Sequence, residues 1–495
     1  MLSRQGTLIG VPILLAAVIA FCFEIRSMSL VNGWWLDELF SIWASDPSLS
    51  FIDVFLHRIL PDTSPPLYFS ALYWTRRLIL DERSAITVLN LISLAAALIA
   101  VNFAGRRADV LGWALVTGAF FLLSGPVLRY TVEGRGYLMA LSAAFVASWY
   151  CALAIEVPAK RPGLWSFGLI GVIAASIHLY AALICGCLAA GLLGSSLIAR
   201  RKDLLAPGLI LGISACVITT LWLPPAIMSM DRMRWSELSY QSLLAAYWEV
   251  RQLALGSHLA LLLLVSLFAT GLMLPATRSL TVIFSLAFVL FLLLPILVSL
   301  KKPIIGGRFW LIGAPSVVVF VSFMTRALFA HNASRVRGRL YRAGALVGLS
   351  FLLITDISGF FVARASTAEK ENWSGAAIVA PLLQRCPPGS VHVFTSWGFV
   401  PGFAFVAHAP QEVFTSVDAP ETVWIGPEDS TCPVLGWAEH VAYRGNERLA
   451  GDFVQKVSDD ELLQLLKIRA LPSEVDIYRH IRGFVVLRRG TLGSE

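Results

Sequence analysis

Charged residues are scarce in this chain. Aspartate, glutamate, lysine and arginine make up 14% of its 495 residues, whereas 57% are hydrophobic and the mean hydropathy is +0.72. A soluble domain carries about 25% charged residues, so the composition excludes an ordinary soluble protein. Many apolar runs reach the roughly 20 residues that span a bilayer. The sequence therefore predicts a polytopic membrane protein.

Several catalytic and binding signatures are also missing. The sequence has no P-loop, no dinucleotide-binding glycine pattern, no HExxH or paired CxxC motif, and no solenoid repeat. Its formal net charge of +7 requires no nucleic acid, because most lysines and arginines lie in short loops between apolar runs. We therefore expect membrane lipids, and no nucleic acid, among its partners.

Cysteine is sparse, and five of the seven residues lie inside apolar runs, where cysteine behaves as a small hydrophobe. The other two, Cys386 and Cys432, lie in the polar C-terminal segment. They can pair if that segment is outside the cytoplasm, but their spacing alone does not decide it. The first apolar run has no small-residue cleavage site, which indicates an uncleaved membrane helix.

About eleven membrane spans are predicted from the apolar runs. An amphipathic helix over 50–60 and a short helix over 66–80 are interpreted as juxtamembrane. With this assignment the basic loops between spans share the cytoplasmic side, as the positive-inside rule requires. The predicted spans are about 7–27, 84–104, 110–129, 137–156, 164–180, 182–199, 205–224, 258–275, 279–300, 309–328 and 342–362.

The C-terminal segment has a soluble composition. Strands near 391–394, 422–425 and 483–487 and a helix over 459–469 are predicted. We expect an all-α polytopic membrane domain over 1–364, with a first periplasmic loop over 28–83. A small α/β extracytoplasmic domain follows over 365–495.

An acidic pair follows the first span directly, in the stretch Trp34-Trp35-Leu36-Asp37-Glu38. Tryptophans mark the headgroup level, where one side of the ring contacts oil and the polar edge contacts water. Carboxylates at this depth are costly unless they have a partner or a function. Asp37 also suits a helix N-cap and Glu38 a first turn, so capping and catalysis are both compatible with the pattern.

Two further clusters place cations on the predicted outer side. In the first, Arg135 lies beside Glu133, and an arginine paired in this way can present its planar fork to a phosphate. In the second, Lys301, Lys302 and Arg308 break the positive-inside rule. An anionic ligand explains such an exception, and contact with lipid headgroups is the alternative for the lysines.

These motifs resemble those of the GT-C superfamily of polyprenyl-phosphate-sugar-dependent glycosyltransferases. The similarity is greatest to the protein mannosyltransferase and aminoarabinose transferase clan, in the bacterial branch of the rhizobial lipopolysaccharide-core galacturonosyltransferases. It covers most of residues 1–375. The matching stretches are Asp37-Glu38, Pro65 to Tyr68, Tyr130 with Glu133, Arg135 and Tyr137, the pair Arg308-Phe309, and Glu371 to Trp373. Phe309 stands where relatives often have tyrosine.

The resemblance implies an inverting transfer of a sugar (hexosyl or pentosyl) from a polyprenyl-phosphate donor to a cell-envelope acceptor outside the cytoplasm. Asp37 matches the catalytic acidic position, with Glu38 beside it, and would accept the proton of the acceptor hydroxyl. The candidate phosphate ligands are Arg135, Arg308, Lys301 and Lys302, and the candidate substrate-binding residues are Glu133, Tyr137, His178 and Tyr68. For His178, a packed and hydrogen-bonded core residue is the alternative.

Relatives differ in their use of metals, so a divalent cation, Mg²⁺ or Mn²⁺, at Asp37 stays open. The implied location is the inner, cytoplasmic membrane. Two other functions compete with the transferase. A lipid-linked-sugar flippase or transporter would show repeat symmetry and polar groups at mid-membrane, whereas the unusual residues here cluster at one surface. A non-catalytic polyprenyl-phosphate-binding envelope protein would need the arginines but not Asp37.

Overall fold

The computed structural model describes residues 2–29, 32–160, 162–198, 200–232, 239–301, 304, 306–330, 335–368, 380–383, 386–394, 404, 410–416, 423–424, 432, 434–437, 458–465, 468–469, 473–480 and 483–489. The chain forms two compact units. One consists of residues 1–30 and 44–367, and the other of residues 31–43 and 368–495.

The described helices are α1 (Leu2–Ser29), α2 (Leu36–Ala44), α3 (Phe51–Val54), α4 (Leu67–Leu78), α5 (Glu82–Arg107), α6 (Leu111–Leu123), α7 (Gly125–Thr131), α8 (Tyr137–Glu156), α9 (Leu164–Ile177), α10 (Leu179–Ile198), α11 (Leu205–Arg232), α12 (Tyr240–Val250), α13 (His258–Met273), α14 (Pro275–Ser299), α15 (Gly307–Trp310), α16 (Ala314–Ala330), α17 (Arg335–Ala368), α18 (Ala380–Leu383) and α19 (Asp459–Leu465). The strands are β1 (Val391–Phe394), β2 (Phe414–Ser416), β3 (Val423–Trp424), β4 (Val434–Trp437), β5 (Ile468–Arg469), β6 (Val475–His480) and β7 (Gly483–Arg488).

The described helices include eight that are long and apolar enough to cross a membrane, or ten if each of two bent pairs is one span. α6 and α7 form one pair, bent by 62°, and α12 with its continuation and α13 form the other, bent by 81°. The remaining predicted span contains α9, which has only 14 residues. The predicted all-α polytopic fold is confirmed. The number eleven is reached only by counting the bent pairs and the short α9.

The two predicted juxtamembrane segments are helical and are not among the candidate spans. Ser50 caps α3 by accepting the backbone N–H of Asp53 at 3.2 Å, and a π-helical turn over Phe55–Ile59 continues it. α4 packs against α3 through Tyr73, whose ring lies 5.3 Å from that of Phe51. These contacts hold the segment between α2 and α5 as folded structure.

The core of the first unit centres on α8, which packs against α5, α9, α10 and α16. The rings of Phe121 and Phe145 stack at 4.0 Å between α6 and α8. Ser148 and Ser316 form a buried hydrogen bond of 2.7 Å between α8 and α16, and small residues of this kind let membrane helices approach closely. α8 is therefore a fixed support for the turn that precedes it.

The second unit contains a five-stranded sheet in the order β2-β1-β4-β7-β6. β1 is parallel to β2 and β4, whereas β7 is antiparallel to β4 and β6. The predicted small α/β structure is confirmed, but the helix predicted over 459–469 ends at Leu465, and 468–469 is strand β5. Its hydrophobic core includes Leu39 from the first loop, and Cys386 and Cys432 form a disulfide. The motif at 371–373 lies outside the described residues.

Candidate functional site

Arg135 lies in the five-residue turn between α7 and α8. The side-chain amide of Asn90, on α5, donates hydrogen bonds to the carbonyl oxygens of Tyr130, Thr131 and Glu133 at 3.3, 3.0 and 3.0 Å. Carbonyl groups at a helix C-terminus have no intrahelical partner, so these bonds satisfy groups that α7 leaves exposed. The turn is thereby fixed to α5.

The start of α4 supports the other side of this turn. Tyr68 is only 2% exposed and packs against Gly136, where a Cβ would lie 3.1 Å from the Tyr68 Cβ. The guanidinium of Arg135 lies 5.7 Å from the centre of the Phe69 ring, within the range of a cation–π contact. The Pro-Pro-Leu-Tyr stretch and the Phe69 that follows it therefore pack against the residues around Arg135.

Asp62 gives Arg135 an acidic neighbour. Asp62 is only 6% exposed, and its carboxylate accepts a hydrogen bond of 3.2 Å from the backbone N–H of Ser64. Burial raises the pKa of Asp62, and the positive charge of Arg135 opposes that rise. The signal for Asp62 in the sequence was an acid within a proline-bounded turn of the predicted outer loop.

His178 lies in the turn between α9 and α10, within electrostatic range of both candidate arginines. Its Nδ1 accepts the backbone N–H of Tyr180 at 3.1 Å, so a neutral ring carries its proton on Nε2. Burial, together with the positive charges of Arg135 and Arg308, lowers the pKa of His178 to about 3. At neutral pH the ring is therefore an uncharged hydrogen-bond donor.

Aromatic rings surround His178. Its ring centroid lies 5.7 Å from Tyr137, 5.6 Å from Phe309 and 6.1 Å from Tyr180. Tyr180 stacks on Phe309 at 5.1 Å and donates its hydroxyl to the carbonyl of Ile304 at 2.9 Å. The arginine–aromatic cluster consists of Arg135, Arg308, Tyr137, His178, Tyr180 and Phe309. The guanidinium of Arg308 lies 5.3 Å from the Phe309 ring.

Glu133 is held in an ion-pair network. Its side chain is 1% exposed and pairs with Arg129 at 3.1 Å, and Arg129 also pairs with Glu249 of α12 at 3.5 Å. Glu249 packs against Gly307, where a Cβ would lie only 2.7 Å from the Glu249 Cβ. Glu133 thus pairs with Arg129, and the pairing of Glu133 with Arg135 that the sequence suggested stays a prediction. The network links α7, α12 and α15.

The structure gives less detail about the two lysines of the second cationic motif, Lys301 and Lys302. Lys301 is exposed at the end of α14, and Lys302 lies outside the described residues. The neighbouring loop is fixed by a hydrogen bond of 3.0 Å from the Ile304 N–H to the Ser299 hydroxyl. Phosphate binding by the lysines stays a prediction.

The acidic pair belongs to the second unit. α2 begins at Leu36, so Asp37 lies in the first turn rather than at the N-cap, where a carboxylate is favoured by the helix dipole. Glu38 is fully buried and accepts a hydrogen bond of 3.5 Å from Asn32, whereas Asp37 is half-buried. Leu39 anchors the segment in the hydrophobic core. Of the two carboxylates, Asp37 is the more accessible to a substrate.

A groove of about 830 Å³ lies between α5, α8 and α9. Its lining runs along α5 from Leu89 to Arg107, which corresponds to a helix rise of roughly 27 Å. This is close to the roughly 30 Å thickness of a bilayer's hydrocarbon core. One end is lined by Ile177, the residue before His178. The groove is suited to a hydrocarbon chain.

No group of three or more His, Cys, Asp or Glu side chains that could hold a metal ion is found in the part of the chain that the structure describes. Mg²⁺ is usually bound by one or two carboxylates together with substrate phosphates. The described residues therefore do not supply a metal site made of protein groups alone. A divalent ion at Asp37 stays a prediction.

Comparison with known proteins rests on structure. No family model and no curated protein matches the chain. ArnT from Cupriavidus metallidurans bound to undecaprenyl phosphate matches with a TM-score of 0.52 and 13% identity, over 98% of this chain and 99% of that one. Its apo state matches with a TM-score of 0.54 and 12% identity, over 98% of each chain.

This chain has the GT-C fold. The resemblance deduced from the motifs is thus confirmed at the level of the fold. The oligosaccharyltransferase AglB from Archaeoglobus fulgidus, solved with an inhibitory peptide and a dolichol phosphate, also matches at 12% identity. That match covers 82% of this chain and 65% of AglB, and its TM-score of 0.48 is too low to support a conclusion.

Within the GT-C fold, four residues selected from the sequence converge on one cluster: Arg135, Arg308, Tyr137 and His178. Three residues that hold this region were not predicted from the sequence: Asp62, Asn90 and Glu249. An amide inside the apolar run of α5 was the signal for Asn90, since polar groups in a membrane span are rarely without a role. The signal for Glu249 was weaker, because an acid between two predicted spans is ordinarily solvated.

Proposed function

We propose that this protein is an integral membrane glycosyltransferase that moves a sugar from a polyprenyl-phosphate donor to a cell-envelope acceptor, with inversion. The arginine–aromatic cluster is the observation that carries the proposal. It presents two guanidinium groups and a neutral histidine donor to an anionic ligand. The groove between α5, α8 and α9 suits the lipid chain of such a ligand. The undecaprenyl phosphate bound to ArnT is a ligand of this chemical class.

In the proposed reaction, an acceptor hydroxyl oxygen attacks the anomeric carbon of the sugar. The bond from that carbon to the phosphate oxygen breaks, and its electron pair leaves with the polyprenyl phosphate. Arg135 and Arg308 stabilise the developing phosphate charge, which is most effective where water is excluded. Asp37 takes the hydroxyl proton, and a positioned base contributes typically about 10²–10⁴-fold.

We also propose that the chemistry and the domain over 365–495 are on the extracytoplasmic side of the inner membrane. The basic loops between the predicted spans support this orientation. The disulfide between Cys386 and Cys432 supports it independently, because disulfides persist in oxidising compartments and are rare in the cytosol.

A lipid-linked-sugar transporter is the competing function, and two buried acids favour it. Glu24 in α1 and Asp356 in α17 lie inside candidate spans and are 0% and 7% exposed. Ionisable groups at such positions often belong to transport pathways. The transporter needs these acids and no sugar transfer, whereas the transferase needs Asp37.

The deciding experiment measures transfer of radiolabelled sugar from a panel of polyprenyl-phosphate sugars to envelope extracts. Asp37→Asn keeps the shape of the side chain but cannot act as a base, so we expect transfer to fall by about 10²–10⁴-fold while donor binding persists. Asp53→Asn, an exposed acid in the same loop, is the matched control and should transfer normally. The extract fraction that gains label identifies the acceptor class.

Equal transfer by wild type and Asp37→Asn would remove Asp37 from the mechanism and move the search to Glu38 and Glu133. If wild type binds donors but transfers nothing to any fraction, the transferase proposal fails. Transport of the lipid-linked sugar, lost in Asp356→Asn, would then establish the transporter.

A further inference from the structure

Asn90 is an uncharged polar residue buried within a predicted membrane span. It is 0% exposed and lies on α5 close to the turn between α7 and α8. An amide removed from water in this way is costly unless its donors and acceptors are paired. Its donors are paired with backbone of another helix rather than with its own.

The three carbonyl groups that Asn90 binds are those at which the chain leaves α7. Two belong to the last residues of that helix, Tyr130 and Thr131, and the third belongs to Glu133. A side-chain amide has two N–H groups, so one of them is shared between two carbonyls. Asn90 thus caps α7 from a neighbouring helix, in a setting where water is not available to do so.

The capped turn carries Arg135, two residues after Glu133. Glu133 is held a second time through its side chain by Arg129, and Gly136 is held by Tyr68. Asn90 has no charge and does not draw the guanidinium of Arg135 away from a ligand. It reduces the backbone freedom that would otherwise be lost when Arg135 binds a phosphate.

We propose that Asn90 is a positioning residue that sets the affinity for the donor phosphate by holding residues 130–136, which are the end of α7 and the turn that carries Arg135. This inference rests on the proposed function. The shape and polarity that the turn requires are those of an amide donor. Asn90→Asp has nearly the same shape but would turn an acceptor toward three carbonyl oxygens.

Asn102 provides a matched control on the same helix. Its amide donates at 2.8 Å to the carbonyl of Leu98, within α5 itself, and makes no described bond to the turn. Asn102→Ala therefore removes an amide from α5 without releasing the segment that carries Arg135. A loss of lipid-phosphate affinity that is common to Asn90→Ala and Asn102→Ala would be due to a change in α5 and not to release of the turn.

The test uses the full-length protein in nanodiscs and measures two quantities, the affinity for undecaprenyl phosphate and the hydrogen exchange of amides 130–136. We expect Asn90→Ala to bind the lipid phosphate at least about tenfold more weakly and Asn102→Ala to bind within twofold of wild type. Exchange over 130–136 should rise only in Asn90→Ala. If that variant does not fold, Asn90→Ser, which keeps one donor, should show an intermediate loss.

A double-mutant cycle separates positioning from general destabilisation. Since Asn90 acts through Arg135, Asn90→Ala should cause little further loss of affinity in an Arg135→Ala background. Additive losses overturn the positioning role, as does unchanged exchange over 130–136 in Asn90→Ala. If wild type fails to bind undecaprenyl phosphate while exchange still rises in Asn90→Ala, the proposed function fails and the hold of Asn90 on the turn stands.

Discussion

Burial lowers the pKa of His178, and two charged neighbours lower it further. Arg135 approaches from the turn before α8 and Arg308 from α15, and both charges disfavour an imidazolium. Because Nδ1 is occupied by the Tyr180 N–H, the remaining Nε2–H is a fixed donor. A neutral donor next to two cations can contact an anion or a sugar hydroxyl without adding to the repulsion between the arginines.

Stability should depend on pH through this histidine. An unfolded histidine titrates near 6.5, whereas folding lowers the pKa of His178 to about 3. Between these values the unfolded chain binds the extra proton, so stability falls as the pH drops from about 6.5. We expect wild type to lose about 1–2 kcal/mol more than His178→Gln between pH 7 and pH 5. Thermal unfolding in detergent at several pH values measures it, and parallel curves for the two proteins would contradict it.

At the scale of helices, α12 and α15 meet at a glycine. A Cβ on Gly307 would lie 2.7 Å from the Glu249 Cβ and 2.9 Å from the Ala246 carbonyl oxygen. Such distances force a backbone shift, because neither contact atom is the end of a flexible side chain. The shift would act on Glu249, which pairs with Arg129, and on Arg308, the next residue along the chain.

We therefore expect Gly307→Ala to be destabilised by about 1–3 kcal/mol and to bind undecaprenyl phosphate more weakly. Gly186→Ala is the control, because a Cβ at Gly186 meets no atom within 4 Å and alanine favours a helix. Melting temperatures and lipid affinities of the two variants decide the matter. Equal behaviour of both would show that α12 does not constrain the cluster.

The groove between α5, α8 and α9 gives a second prediction at this scale. Ala143→Trp would fill part of the groove with a large side chain on α8. We expect transfer from a long-chain polyprenyl donor to fall by about tenfold, since its chain loses buried apolar contact, while a short-chain donor is used as before. Transfer assays with both donors measure the ratio. An unchanged ratio would mean that the groove holds only bulk lipid.

At the scale of the whole molecule, the second unit combines a short N-terminal segment with the C-terminal chain. Leu39 lies in the same core as Val391, Val485 and Leu487. The segment that carries the acidic pair Asp37-Glu38 is thus supported by residues more than 340 positions later in the chain. We propose that the C-terminal domain selects the acceptor. Because it also supports the acidic pair, its loss should affect catalysis as well as acceptor selection.

The disulfide closes a sequence separation of 46 residues in this unit. The double variant Cys386→Ser/Cys432→Ser should lower the stability of the second unit by about 2–4 kcal/mol and leave the membrane bundle unchanged. Limited proteolysis across a temperature series distinguishes the two units by the fragments released. Cys216→Ser, which changes an exposed free cysteine, is the control. Equal protease resistance in all three proteins would show that the bond is not structural.

Much of the fold was predictable because apolar length and loop charge are local properties. The segments 50–60 and 66–80 were recognised as non-spanning from their polar faces and from the positions of the basic loops. The division between α9 and α10 was predicted to within a few residues, since α9 ends at Ile177 and the predicted span ended at 180. The break between α6 and α7 was not predicted, because Ser124 leaves the helical conformation, with a ψ of 139°, inside an apolar run. Gly125, the next residue, packs directly on Gly359. A Cβ added to Gly359 would lie 2.9 Å from the Cα of Gly125.

The sequence by itself determined that this is a polytopic membrane protein, and its motifs predicted the GT-C fold, because hydropathy and short motifs depend on contiguous residues. Only the tertiary structure decided which motifs meet. Arg135, His178 and Arg308 are brought into one electrostatic environment across more than 170 positions (308 minus 135), and Asn90 reaches a turn about 40 residues later. Such contacts depend on helix packing, which sequence spacing does not specify.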